Sequence, residues 1–133
     1  MMNRMVKSVF KRMTKKAVSV VKDKDRLNEV SLESLKKGAL YKGRKGMSDM
    51  WVDVKTFSRL VQEVRKGEYK DISRKSVVMI VGGLLYFISP IDAVPDLLAG
   101  VGLLDDVAVI GFVASQLRQE LEKFREWETG VKI

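Results

Sequence analysis

Apolar residues recur along this chain at spacings of three and four, which is the repeat of one helix face. Over residues 1–22 the stripe Val6, Phe10, Met13, Ala17 and Val20, widened by Met2, Met5 and Val9, predicts an amphipathic helix. Its opposite side gathers Arg4, Lys7, Lys11, Lys15 and Lys22, while Lys16 falls in the apolar sector. Asp23-Lys24-Asp25 interrupts the stripe, and Leu27, Val30, Leu35, Ala39 and Leu40 predict a second, weaker helix ending at Gly38 or Gly43. The basic run 41–46, with two glycines, reads as a flexible linker. Met47, Met50, Val54, Phe57, Val61 and Val64 predict a third helix, capped by Ser48 or Asp49 and ending near Gly67 after Arg65-Lys66. Trp51 and Leu60 broaden its buried face.

Asp71 or Ser73 opens the next helix, 74–88, in which residues 77–88 are apolar on every side. Those twelve residues fall short of the roughly 20 that cross a bilayer, so a buried central helix is expected, with a re-entrant membrane hairpin as the alternative. Gly82 and Gly83 would let another helix approach closely. Val107, Ile110, Ala114, Leu117, Leu121 and Phe124 predict a last helix, 105–127, begun at Asp105 or Asp106 and apolar all round before Ser115. The expected fold is therefore all-α: a compact bundle of four or five helices around helix 74–88, flanked by 48–66 and 105–127, with a basic amphipathic N-terminal helix. Composition divides it into a basic arm and linker, 1–46, and a helical domain, 47–133.

Residues 84–106 set four aspartates, Asp92, Asp96, Asp105 and Asp106, in the most apolar third of the chain, together with its only two prolines, Pro90 and Pro95. Structural duty explains all four. Ser89-Pro90-Ile91-Asp92 matches a capping box, Asp96 can serve the first turn begun by Pro95, Asp105 can cap the last helix, and Asp106 can complement its dipole. The sharper reading is that two bends bring the carboxylates together, where like charges repel unless a cation or proton joins them. Any such metal would be a hard cation, Mg, Ca or Mn, although the spacing matches no EF-hand. Acid/base catalysis has less support, because no nucleophile stands beside the carboxylates.

Composition narrows the chemistry further. The chain has no cysteine and no histidine, which removes thiolate nucleophiles, imidazole bases and the usual zinc ligands. The formal net charge of +8 is uneven: residues 1–46 hold 14 Lys/Arg against 4 Asp/Glu, and the remainder hold 11 against 13. Such an arm is drawn to anionic surfaces, lipid or nucleic acid, or simply keeps the chain soluble. The helix 1–22 can lie in a membrane interface, dock as a partner helix, or pack on its own domain. Charges punctuate it throughout, unlike a secretory signal. The one tyrosine near the basic linker, Tyr41, is thin support for base stacking.

Tyr86, Ser89-Pro90-Ile91-Asp92, Pro95-Asp96, Gly102 and Asp105-Asp106 resemble the signature of the small bacterial YkvA-like proteins, a resemblance that covers about residues 47–120. It implies a compact helical domain in a bacterial-type cell and carries over no catalytic residues, because that family supplies none. The expected function is a non-enzymatic interaction protein, cytoplasmic and peripheral on the inner face of the membrane. Met2, Arg4, Val6, Lys7, Phe10, Lys11, Met13, Lys15 and Lys22 would make the contact, the apolar ones inserted. The alternatives are a carboxylate metal site with hydrolytic activity and a nucleic-acid-binding accessory protein. A partner protein is the other expected contact, with self-association left open.

Overall fold

The computed structural model describes residues 4–88 and 99–130, of which 99–105 as helix backbone alone. These contain six helices: α1 Arg4–Val20, α2 Lys24–Tyr41, α3 Ser48–Arg65, α4 Arg74–Ile88, α5 Ala99–Gln116 and α6 Arg118–Glu128. α4 is the central helix that its unbroken apolar run predicts. Ser76, Val77 and residues 80–87 are all buried, and α4 packs on α1, α2, α3 and α5. Ser73 Oγ accepts the Ser76 amide at 3.1 Å, so the expected serine cap is formed.

The two glycines of α4 explain how closely its neighbours sit. A Cβ at Gly82 would lie 2.7 Å from Thr14 Cγ2 and 3.1 Å from Thr14 Cα, and one at Gly83 would lie 3.2 Å from Val113 Cγ2. α1 is therefore seated on one glycine and α5 on the next. Val6 and Val9 of α1 are buried with Tyr86 and Val109, while Ala17 and Val20 join the main core beside Leu27 and Val30. That core continues through α3 and α4 to Leu121 and Phe124 of α6, so the compositional step at residue 46 crosses one continuous cluster.

α2 is a full helix of 18 residues, and it ends neither at Gly38 nor at Gly43. Asp23 caps it, accepting from Asp25 N at 3.1 Å and Arg26 N at 3.2 Å. Its inward face is Leu27, Val30, Ser31, Ser34 and Gly38, whereas Ala39 and Leu40, expected in the apolar face, are exposed. Small residues turn inward because the α2 and α3 backbones approach closely. Ser31 Oγ donates to Ser58 O at 3.2 Å, and a Cβ at Gly38 would meet the Trp51 ring at 2.7 Å.

Three further boundaries differ from expectation. α3 starts at Ser48 with Met47 as an N-cap that makes no side-chain bond, so Ser48 and Asp49 lie in the first turn, where Asp49 complements the dipole instead. Its end, before Gly67 with φ +78°, is as predicted. α5 begins at Ala99, so Asp105 and Asp106 lie within the helix rather than at its start. The single helix expected over 105–127 is broken at Leu117 (φ −113°, ψ 24°), although neither proline nor glycine stands there. Leu117 is itself in the core, and the break directs Leu121 and Phe124 inward, where Phe124 meets the Tyr69 ring edge-on with centroids 5.1 Å apart. That break divides the last expected helix in two within the all-α bundle that the pattern predicts.

Candidate functional site

Of the motif that organises residues 84–106, Ser89, Pro90, Asp92, Pro95 and Asp96 lie outside the described residues, as does the side chain of Asp105. Asp106 is described. It is 1 % exposed, and its partner comes from α2: Lys37 Nζ stands 3.0 Å from Asp106 Oδ2. The same ammonium donates to the main-chain oxygen of Phe87 and lies 4.9 Å from the centre of the Phe87 ring. Phe87 O belongs to the last turn of α4, where helix carbonyls lack intrahelical donors and carry the negative end of the dipole. Lys37 thus joins α2, the C-terminal end of α4 and the middle of α5 through one cation, its side chain 20 % exposed.

The sequence asks for a cation or a proton wherever the aspartates meet; of the four only Asp106 has a described side chain, and a lysine of this chain lies against it. Among the described residues no group of three or more acidic side chains could hold a metal ion. Sequence reasoning did not single out Lys37. The available signal was its phase: Val30, Ser34 and Lys37 follow one another at spacings of four and three, so a lysine sits on the inward stripe of α2. Such a cation either snorkels out along its methylene stem or finds an acid.

The second feature is the outer face of α1. Arg4, Lys7, Lys11, Lys15 and Lys22 are all exposed, as the periodicity predicts, and so are Arg12 and Lys16. Lys16 lies at the edge of the apolar sector rather than within it. α1 contains no acidic residue, and none of these cations forms an ion pair among the described residues. The apolar stripe is not available in the same way. Val6 is buried, Phe10 and Met13 are half-buried against the core, and Met2 lies outside the described residues. The expectation that Val6, Phe10 and Met13 insert into a membrane is therefore corrected for the docked helix: α4 and α5 already occupy that stripe. Tyr41 likewise has a cation on its face, the Arg44 guanidinium at 4.7 Å.

A cleft of about 330 Å³ between α3 and the α5–α6 break is lined by Asp49, Asp53, Arg118 and Arg125. Burial pushes the Asp53 carboxyl above the usual carboxylate range, with Asp49 adding to the effect and Arg125 opposing it. Arg125 Nη2 donates to Thr56 Oγ1 at 3.3 Å. The cleft holds both signs of charge and no nucleophile, so it offers acid/base groups without a group to activate.

Residues 76–112 match a family described as a protein of unknown function, DUF1232. The match runs from the first turn of α4 to Phe112 in α5, and it includes Asp106 but not Lys37. The uncharacterized membrane protein YkvA of Bacillus subtilis (strain 168) is 30 % identical over 74 residues, which are 56 % of this chain and 70 % of that protein. No solved structure matches. Among the described residues no helix is long and apolar enough to cross a membrane. With Tyr86 and Asp106 of the signature buried on α4 and α5, and with most of the relative's length covered, the chain belongs to the YkvA-like family of unknown function.

Proposed function

We propose that this protein is a non-enzymatic, peripheral membrane-surface protein that meets anionic lipid head groups, on the cytoplasmic side, through the outer face of the docked α1. One observation carries the reading: Arg4, Lys7, Lys11, Arg12, Lys15, Lys16 and Lys22 are exposed on and just after a helix without a single acid. Each cation near an anionic leaflet contributes about 1 kcal/mol, screened over about 8 Å at physiological salt. The relative's name, a membrane protein, supports the same setting. Because α1 keeps its apolar stripe on α4, the contact is electrostatic and leaves the fold intact.

The test is co-sedimentation of the full chain with phosphatidylcholine vesicles and with vesicles that also contain phosphatidylglycerol. Binding is expected only with the anionic lipid. It should be lost in the triple variant Lys7→Glu/Lys11→Glu/Lys15→Glu and in about 1 M salt, where screening shortens to about 3 Å. Wild type that ignores anionic vesicles, or a triple variant that binds as well, overturns the reading. Duplex DNA that strips the protein from the vesicles moves it to the nucleic-acid alternative, whose salt dependence is similar.

A further inference from the structure

We infer that Phe112 of α5, paired with Phe10 of α1, is the apolar anchor of that same lipid-facing surface. The inference rests on the reading above and gives the contact a second component and an orientation. α5 carries no charge from residue 107 to its end, and Ala108, Gly111, Phe112 and Ser115 follow the spacing of one helix face. Ala108 is half-buried and the other three are exposed. A Cβ at Gly111 would meet nothing within 4 Å, so the surface beside Phe112 is open.

Phe112 is 38 % exposed, and its ring meets that of Phe10 edge-on, with centroids 6.2 Å apart at 84°. Phe10 marks the rim of α1's buried side. At about 100° per residue, continuing outward around the helix from Phe10 brings Thr14, then Lys7, Val18 and Lys11. Val18 is 44 % exposed and lies among Lys7, Lys11, Lys15 and Lys22. From Phe112 the surface thus passes through a half-buried aromatic to a field of cations, and α1 adds no acid to it.

The other exposed large apolar residues outside α1 lack its neighbouring field of cations. Val52 stands across the cleft from Gly111 and Ser115, on the side of Asp49 and Asp53 and away from α1, and Leu32 and Leu40 stand on α2. The occupant we assign is an anionic phospholipid bilayer, on charge complementarity. Aromatic rings are favoured at the head-group level, where the ammonium groups of α1 would meet phosphate. A second copy of the chain would bring the same cations against each other.

The chain contains no cysteine, so single-site labelling is direct. Phe112→Cys, Val18→Cys and, as a control on α2, Leu32→Cys would each carry a polarity-sensitive fluorophore, and emission would be read with and without phosphatidylglycerol-containing vesicles. Blue shifts are expected at 112 and 18 and none at 32. In co-sedimentation Phe112→Ser should bind about five- to tenfold more weakly with unchanged dependence on salt, since an apolar contact is lost and no charge is. If wild type binds but the label at 112 keeps its aqueous emission and Phe112→Ser binds equally, the anchor is overturned and the electrostatic reading stands. Absence of wild-type binding overturns both. A shift at 112 that needs no vesicles and grows with protein concentration overturns the bilayer in favour of a second copy.

Discussion

α1 and α2 both lie against α4, yet α2 turns one of its lysines inward and α1 turns none. α1 buries Val6, Val9, Ala17 and Val20 and leaves every one of its cations exposed. α2 buries two serines and a glycine beside Leu27 and Val30, and it turns Lys37 onto Asp106. Composition does not separate these outcomes. Helical phase relative to the neighbouring helix does, and it also sorts what each charge is for. An exposed lysine adds little to stability and is available to an outside anion. A half-buried one set against a buried acid is committed to it, and the acid does not tolerate the loss.

The strongest way to break this contrast is at the buried end. Lys37→Ala should destabilise the fold by about 3–5 kcal/mol, because it leaves the Asp106 carboxylate buried without that cation. Urea denaturation measures it, and Lys37→Met combined with Asp106→Leu should recover most of the loss. A single variant that unfolds at the wild-type midpoint would show that Lys37 does not join the three helices.

The seat of α1 comes next. Gly82→Ala should cost about 1–3 kcal/mol by overpacking, even against the roughly 1 kcal/mol by which alanine favours a helix, because Thr14 Cα as well as its side chain stands in the way. Gly111→Ala, facing open space, should instead stabilise by up to about 1 kcal/mol. Hydrogen exchange should show faster α1 amides in Gly82→Ala alone; protection unchanged in both would mean that α1 is not held at that glycine.

The acids extend the comparison. Asp106 has a cation in contact, whereas for Asp53 burial outweighs Arg125 and the folded carboxyl titrates above its ordinary 3.8. The folded state then binds the proton more tightly than the unfolded one. Asp53's contribution to stability is fully present below 3.8 and is lost as pH rises through the raised value. Asp53→Asn should therefore melt higher than wild type at neutral pH, with an advantage that shrinks toward about pH 4. An advantage that grows on acidification would reverse the assignment. The smallest effect is expected at the exposed end: Lys11→Glu should unfold within about 0.5 kcal/mol of wild type while weakening vesicle binding.

What sequence alone determined here was local. The four-and-three spacing of Val54, Phe57, Val61 and Val64 placed α3, the unbroken run 77–88 placed α4 in the centre, and the alternation of lysine and valine set the two faces of α1. It also marked Asp106 as a residue of interest. Tertiary structure decided the rest. Ser31, Ser34 and Gly38 turn inward because α3 comes close enough to make small residues the better fit, a preference no hydropathy scale records. α5 begins before Asp105, and the turn at Leu117 arises without proline or glycine, because the core beyond it must receive Leu121 and Phe124. The covering of α1's stripe depends on Gly82, 68 positions beyond Thr14, and the partner of Asp106 lies 69 residues earlier in the chain. Periodicity reports which side of a helix is apolar. Which neighbour covers that side, and which lone cation is carried inward with it, is settled only when the helices pack.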